Sequence, residues 1–132
     1  MIYSGDQQVR RVYLDVPHSE KPRVSWYGES VGHYEGDTLV VDTVGLSEKA
    51  FVDNYRTPHT EKLHVVERWR MIDGGNKLEA NIRVEDADTY YELWSGIQHY
   101  DRVERPMTEQ VCAENNQHLF DYHIPIADKP DF

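Results

Sequence analysis

Cysteine is nearly absent. Cys112 stands alone among 132 residues, so no intramolecular disulfide frames the fold and no cysteine-based zinc cluster can assemble. A lone thiol of this kind reads as a small buried hydrophobe rather than a reactive group. Positive charge is also scarce: 14 Lys and Arg against 24 Asp and Glu leave a net charge of −10. That balance opposes nucleic acid and anionic membranes as partners, since both require local positive potential. No apolar run approaches the ~20 residues of a membrane span, and the N-terminus lacks the basic, apolar and small-residue order of a signal peptide. As written, the chain reads as cytoplasmic; a periplasmic or secreted location follows only if it is a fragment of a longer precursor. Gly-rich phosphate loops, a nucleophile elbow and a helix-borne zinc motif are missing too. Nucleotide chemistry and ordinary serine hydrolysis are therefore disfavoured, and no organic cofactor is expected.

Aromatic side chains are what the chain has in quantity: nine Tyr, three Trp and three Phe. Such residues favour strands or a ring-lined cavity over a helical bundle. The clearest local pattern is Glu61 to Asp86, where Asp73-Gly74-Gly75-Asn76 joins two runs of period-two alternation. A two-residue Gly-Gly loop supplies the positive φ angles of a tight hairpin turn, and it makes opposite residues sum to 149. Leu63, Val65, Trp69 and Met71 then share a face with Leu78, Ala80, Ile82 and Val84. Arg70 stands opposite Glu79, and His64 opposite Glu85, on the other face. Glu67 interrupts the apolar row opposite Ile82. A carboxylate there is paired, protonated with a raised pKa, or catalytic.

The remaining segments fit the same class. Gln7 to Asp15 reads as a strand with Val12 and Leu14 on one face, and Val16 to Arg23 is a connector because Pro17 and Pro22 forbid a regular ladder. Trp26 to Gly45 is a second hairpin, turning either over Glu35-Gly36 or over Glu35-Gly36-Asp37, two registers one residue apart. On its return strand Asp42 interrupts Val40 and Val44, a second candidate buried carboxylate, with capping of a strand end as the structural reading. Ser47 to Asp53 suggests a short helical turn with Phe51 packed back on the sheet. Thr89 to Val103 alternates along its whole length. Its face through Tyr91, Leu93, Ser95, Ile97, His99 and Val103 is the more apolar, which turns His99 inward. Gly96 within it suggests a bulge or bend. Met107 to Asn116 suggests a short helix, and Pro125 and Pro130 an extended C-terminal strap. The connectors Pro17-His18-Ser19-Glu20-Lys21 and Pro58-His59-Thr60-Glu61-Lys62 nearly repeat each other.

These elements predict a single all-β domain over residues 1–132: a curved antiparallel sheet or partial barrel, calycin-like, with one short helical turn and the strap. A two-layer sandwich and an α+β cone are the alternatives. A curved sheet lines a pocket with alternate residues from several strands. Glu67, Asp42 and His99 are expected to face it, with His59 at its rim. An acid and a base in a dry pocket suit proton transfer, elimination, isomerisation or hydration of a small substrate. Tyr34, Trp69, Tyr91, Trp94 and Arg68 are the candidate substrate-binding residues. The structural reading of Glu67 is a buried ion pair with Arg68, or with Arg10 from a neighbouring strand. His59, His64 and Glu67 have the composition of an open divalent-metal site. Their spacing opposes it, because His64 and Glu67 lie on opposite faces of one strand; no metal is expected.

From Ser25-Trp26-Tyr27-Gly28 through Tyr34-Glu35-Gly36-Asp37-Thr38-Leu39-Val40-Val41-Asp42-Thr43-Val44-Gly45, and again at Pro58-His59-Thr60 and Leu63-His64-Val65-Val66-Glu67-Arg68, the chain resembles an uncharacterised bacterial protein family. Members often read W-E-G-D-T-L-V-V-D-T-x-G, with Tyr34 here in place of the tryptophan. The resemblance covers most of Arg10 to Phe132. It implies a short form or fragment of a longer, exported protein, and it places Asp42, His59, His64, Glu67 and Arg68 within the family's motif. The expected function is a small lyase, isomerase or hydratase working by acid-base catalysis on a compact hydrophobic or aromatic molecule. The alternative is a non-catalytic ligand-binding or assembly domain, whose open sheet edges a second copy could cover.

Overall fold

A computed structural model describes residues 1–3 and 8–106. The expected tail helix, the strap and Cys112 lie outside the described residues. The described residues fall into two units, Met1 with Val9–Arg105 in the first, and Ile2, Tyr3, Gln8 and Pro106 in the second. Strands β1 (Ile2–Tyr3) and β2 (Gln8–Val9) make a small two-stranded sheet.

The first unit carries the main sheet, six-stranded and open, in the order β3 (Tyr13–Leu14), β4 (Glu29–Glu35), β5 (Thr38–Val44), β6 (His64–Ile72), β7 (Lys77–Glu85), β8 (Trp94–Asp101). Every neighbouring pair is antiparallel except β3 and β4, which are parallel. The all-β class is the one observed, and the sheet does not close. Among the described residues no helix is long and apolar enough to cross a membrane.

The β6–β7 hairpin has the register that its turn dictates: Val65 faces Val84, Glu67 faces Ile82, Trp69 faces Ala80 and Arg70 faces Glu79. Pairing ends at Ile72 and Lys77, one pair earlier than a Gly-Gly loop allows. The short helical turn of the described residues lies here, at Asp73–Gly75. Asp73, Gly74 and Gly75 all take positive φ there, the conformation that favours glycine. Ser47 to Asp53, where a helical turn was expected, is a hydrogen-bonded turn from Ala50 N to Ser47 O, and Phe51 is exposed.

The β4–β5 hairpin takes neither expected register. Glu35 pairs with Thr38, so the loop is Gly36-Asp37. Gly36, at the first of the two loop positions, has φ +64°, the residue order of a type II′ turn, whose twist matches the strands.

The main core cluster lies on one face. Val41, Trp69 and Ala80 form its centre, with Val12, Leu39, Leu78 and Ile82 packed against them. Full burial of a side chain such as that of Val41 stabilises the fold by ~1.5–3 kcal/mol. Val12 and Leu14 reach this face over Gly32, where an added Cβ would meet Val12 Cγ1 and the Val40 carbonyl at 2.9 Å. Trp69 also stacks on Tyr100, ring centroids 5.8 Å apart.

Candidate functional site

Strand parity sends the two interrupting carboxylates to opposite faces of the sheet. Glu67 lies on the core face and is buried. Arg10, from the segment before β3, puts Nη2 2.5 Å from Glu67 Oε2. The same guanidinium donates to Ser30 Oγ at 3.1 Å and to Thr43 Oγ1 at 2.7 Å, while Ser30 and Thr43 bond each other at 2.9 Å. A buried carboxylate held by an arginine, a residue that does not lose its proton, is matched for packing rather than proton transfer. Beyond that ion pair Oε2 has no hydrogen-bond partner among the described residues, nor has the buried indole nitrogen of Trp69.

Asp42 lies on the other face, half-buried. Its neighbours across the sheet are Val31 on β4 and Val66 on β6. Two imidazoles converge on one of its oxygens: His18 Nε2 at 2.9 Å and His64 Nε2 at 3.0 Å from Oδ1. His64 is diagonal to Asp42 on the adjacent strand, within reach of a long side chain. His18 comes from the proline-bounded connector, and its Nδ1 lies 3.1 Å from Glu29 Oε1. Glu29 also accepts from Ser19, at 2.8 Å from the backbone N–H and 2.6 Å from the hydroxyl.

Protonation states follow from the partners. Burial raises the Asp42 carboxyl, but the hydrogen bonds from His18 and His64 outweigh it and hold the group below the usual carboxylate range. Burial lowers His18, but its hydrogen bonds to Asp42 and then Glu29 outweigh it and raise its pKa above the ordinary imidazole value. Ser19, through its hydroxyl and its N–H, lowers Glu29. Two ionised carboxylates on the two ring nitrogens of His18 require both nitrogens to donate, which makes His18 an imidazolium. Ionised Asp42 has no proton to give, so His64 donates through Nε2–H. When His64 is neutral its Nδ1 then carries the lone pair. No described residue bonds that nitrogen.

His59 is buried, and its Nδ1 lies 2.8 Å from Thr60 O. It sits in a second clasp. Thr60 donates to the buried carboxylate of Asp86 through its N–H at 2.6 Å and its hydroxyl at 3.0 Å. Asp88 N and Thr89 Oγ1 complete the set. Burial raises Asp86, and the bonds from Thr60, Asp88 and Thr89 outweigh it and lower it. The two near-identical connectors thus do the same thing. In each, the Ser or Thr after Pro-His grips a carboxylate through its own N–H and hydroxyl.

His99 is the clearest correction. The β7–β8 register puts Trp94, Gln98 and Tyr100 on the core side and His99 on the other, exposed, with Nε2 3.0 Å from Glu79 Oε2. Every residue of β8 is exposed, so relative hydropathy of its two faces could not identify the inner one. The candidate substrate-binding residues are not brought together. Tyr34 and Trp69 lie in one row of the core face with Leu39 between them, Tyr34 exposed and Trp69 buried. Trp94 packs edge-on against Tyr90. Tyr91 is fully exposed before β8, and Arg68 is on the opposite face, paired with Glu35.

Nor do His59, His64 and Glu67 form a metal site: Glu67 and His64 occupy opposite faces, and His59 is engaged with Thr60 O. Among the described residues no group of three or more His, Cys, Asp or Glu is placed to hold a metal ion. Sequence reasoning missed His18 and Glu29 as members of the Asp42 cluster. The repeated Pro-His-Ser/Thr connector was the one signal that pointed to His18. No family model, curated protein or solved structure matches the chain.

Proposed function

We propose that this chain is a small acid-base enzyme of lyase, isomerase or hydratase type, acting on a compact hydrophobic molecule, with its chemistry at Asp42 and His64. The observation that carries this reading is the Asp42–His64 bond at 3.0 Å, which directs the proton of a neutral His64 to Nε2 and leaves Nδ1 as a general base. This is the orienting role of a carboxylate behind a catalytic histidine. His18, as imidazolium, keeps Asp42 ionised and offers a second proton at the same oxygen. Val31, Val44 and Val66 surround the dyad on its face with apolar shoulders that suit a hydrophobic substrate. Glu67 is assigned to packing.

Nitrogen-detected NMR of the histidines tests this, coupled to hydrogen–deuterium exchange of a panel of small carbon acids in D2O. A neutral His64 bearing its proton on Nε2, with exchange lost in His64→Gln and Asp42→Asn, is expected. A proton on Nδ1, or exchange unchanged in both variants, sinks the reading.

Assembly is a second reading, favoured by the edge position of β8 and by its exposure, with Ile97 63% accessible. Among the described residues no strand lies outside β8, and a sheet edge of this length is a template for pairing with a second copy. Sedimentation of the wild type against Ile97→Lys tests it. A dimer that dissociates in the variant supports it, and a monomer in both removes it.

A further inference from the structure

Along β6 the residues sharing the Asp42 face are His64, Val66, Arg68 and Arg70. A cavity of about 260 Å³ opens on this face, lined by Thr38, Arg68, Arg70, Glu79 and Asn81. Arg68 gives Nη2 to Glu35, and Arg70 gives Nε and Nη2 to Glu79. The Nε and Nη1 groups of Arg68 and the Asn81 amide have no partner among the described residues. Between this cavity and the dyad Val40 and Val66 form a narrow apolar strip, flanked by His33 on β4 and Arg83 on β7. Val40, buried, pairs with Arg68, and Val66 pairs with Asp42. Arg68 is four steps along an extended strand from His64, a span of ~13 Å.

We propose that the substrate is an amphipathic monocarboxylate whose head binds in the Arg68–Arg70–Asn81 cavity and whose apolar body lies over Val40 and Val66, with its far end at His64. The proposal rests on the acid-base reading for what happens at that far end, not for the head-group site. Geometry favours a carboxylate because charge-assisted N–H donors of Arg68, with the Asn81 amide beside them, converge on the cavity and can donate to its two oxygens. Charge favours a monoanion. The two guanidiniums already face Glu35 and Glu79, and the chain as a whole is strongly acidic, so a dianion would be repelled.

The test is binding of octanoate, octanamide and inorganic phosphate to the full chain by amide-resolved NMR titration. Octanoate is expected to shift the amides of Val40, Val66 and Arg68. Octanamide, or octanoate on Arg68→Gln, should bind at least about ten-fold more weakly, the loss of one charge-assisted contact, and phosphate should not compete. Arg70→Gln serves as a second variant, and amide spectra establish that each remains folded. Equal binding of octanoate and octanamide, undiminished binding by both arginine variants, or shifts confined to β8 or to the core face would overturn the proposal. His64→Gln separates it from the acid-base reading, because octanoate binding should survive there. Octanoate that binds as expected, in a protein whose His64 shows the wrong tautomer, would remove the acid-base reading and leave the head-group site standing.

Discussion

Glu67 and Asp42 announce themselves in the same way, each a carboxylate in an apolar strand row, and they end in opposite circumstances. Glu67 points into the core and meets a guanidinium with two hydroxyls arrayed around it. Asp42 points to the half-open face and meets two imidazoles. The partner decides what each carboxylate can do. Arginine holds its proton at every accessible pH, so the core network can only be formed or broken; histidine gives its proton up near neutrality, so the surface network can change state while the fold stays intact.

The largest effect expected from this contrast is on stability at the core site. Arg10→Met should cost ~3–5 kcal/mol in chemical denaturation, because it strands a buried charge. The double change Arg10→Met with Glu67→Leu should recover most of that loss. A single-variant cost under about 1 kcal/mol would mean that the pair is solvated, and the contrast would collapse. Asp42→Asn comes next, with a cost of ~0–1 kcal/mol, as for a partly exposed ion pair.

The smallest effect is one of pH. His18 is raised above 6.5, so its contribution is complete below that value and is lost as pH rises through its folded pKa. Asp42 is lowered from 3.8, so its contribution is present above that value and is lost as pH falls through its folded pKa. The stability gap between wild type and Asp42→Asn should therefore be widest between these limits and narrow on both sides. A gap that is flat with pH would show that His18 and Asp42 are not coupled in the folded state.

How much of this could be read beforehand depended on how local the determinant was. The β6–β7 register followed from two glycines and an alternating pattern, all within one hairpin. The β4–β5 register did not, because Gly36 serves as either loop residue and the strands alone do not choose. Parity sufficed to send Glu67 inward and His64 to the other face. Its partners could not be paired so simply. His64 has Glu85 directly opposite but reaches diagonally to Asp42, and Arg10 reaches Glu67 from a segment that belongs to neither adjacent strand. His18 was hidden for the same reason: it joins the cluster from a connector, 24 residues away from Asp42 along the chain.

The clasp between Thr60 and Asp86 bears on how the central hairpin finds its register. Thr60 precedes β6 and Asp86 follows β7, so the two meet only when every pair between them is aligned. A slip of one residue would turn Asp86 to the opposite face, out of reach of the N–H and hydroxyl that hold it. The clasp therefore belongs to the native register alone: a hairpin paired one residue out forgoes these hydrogen bonds and leaves the Asp86 carboxylate without its donors.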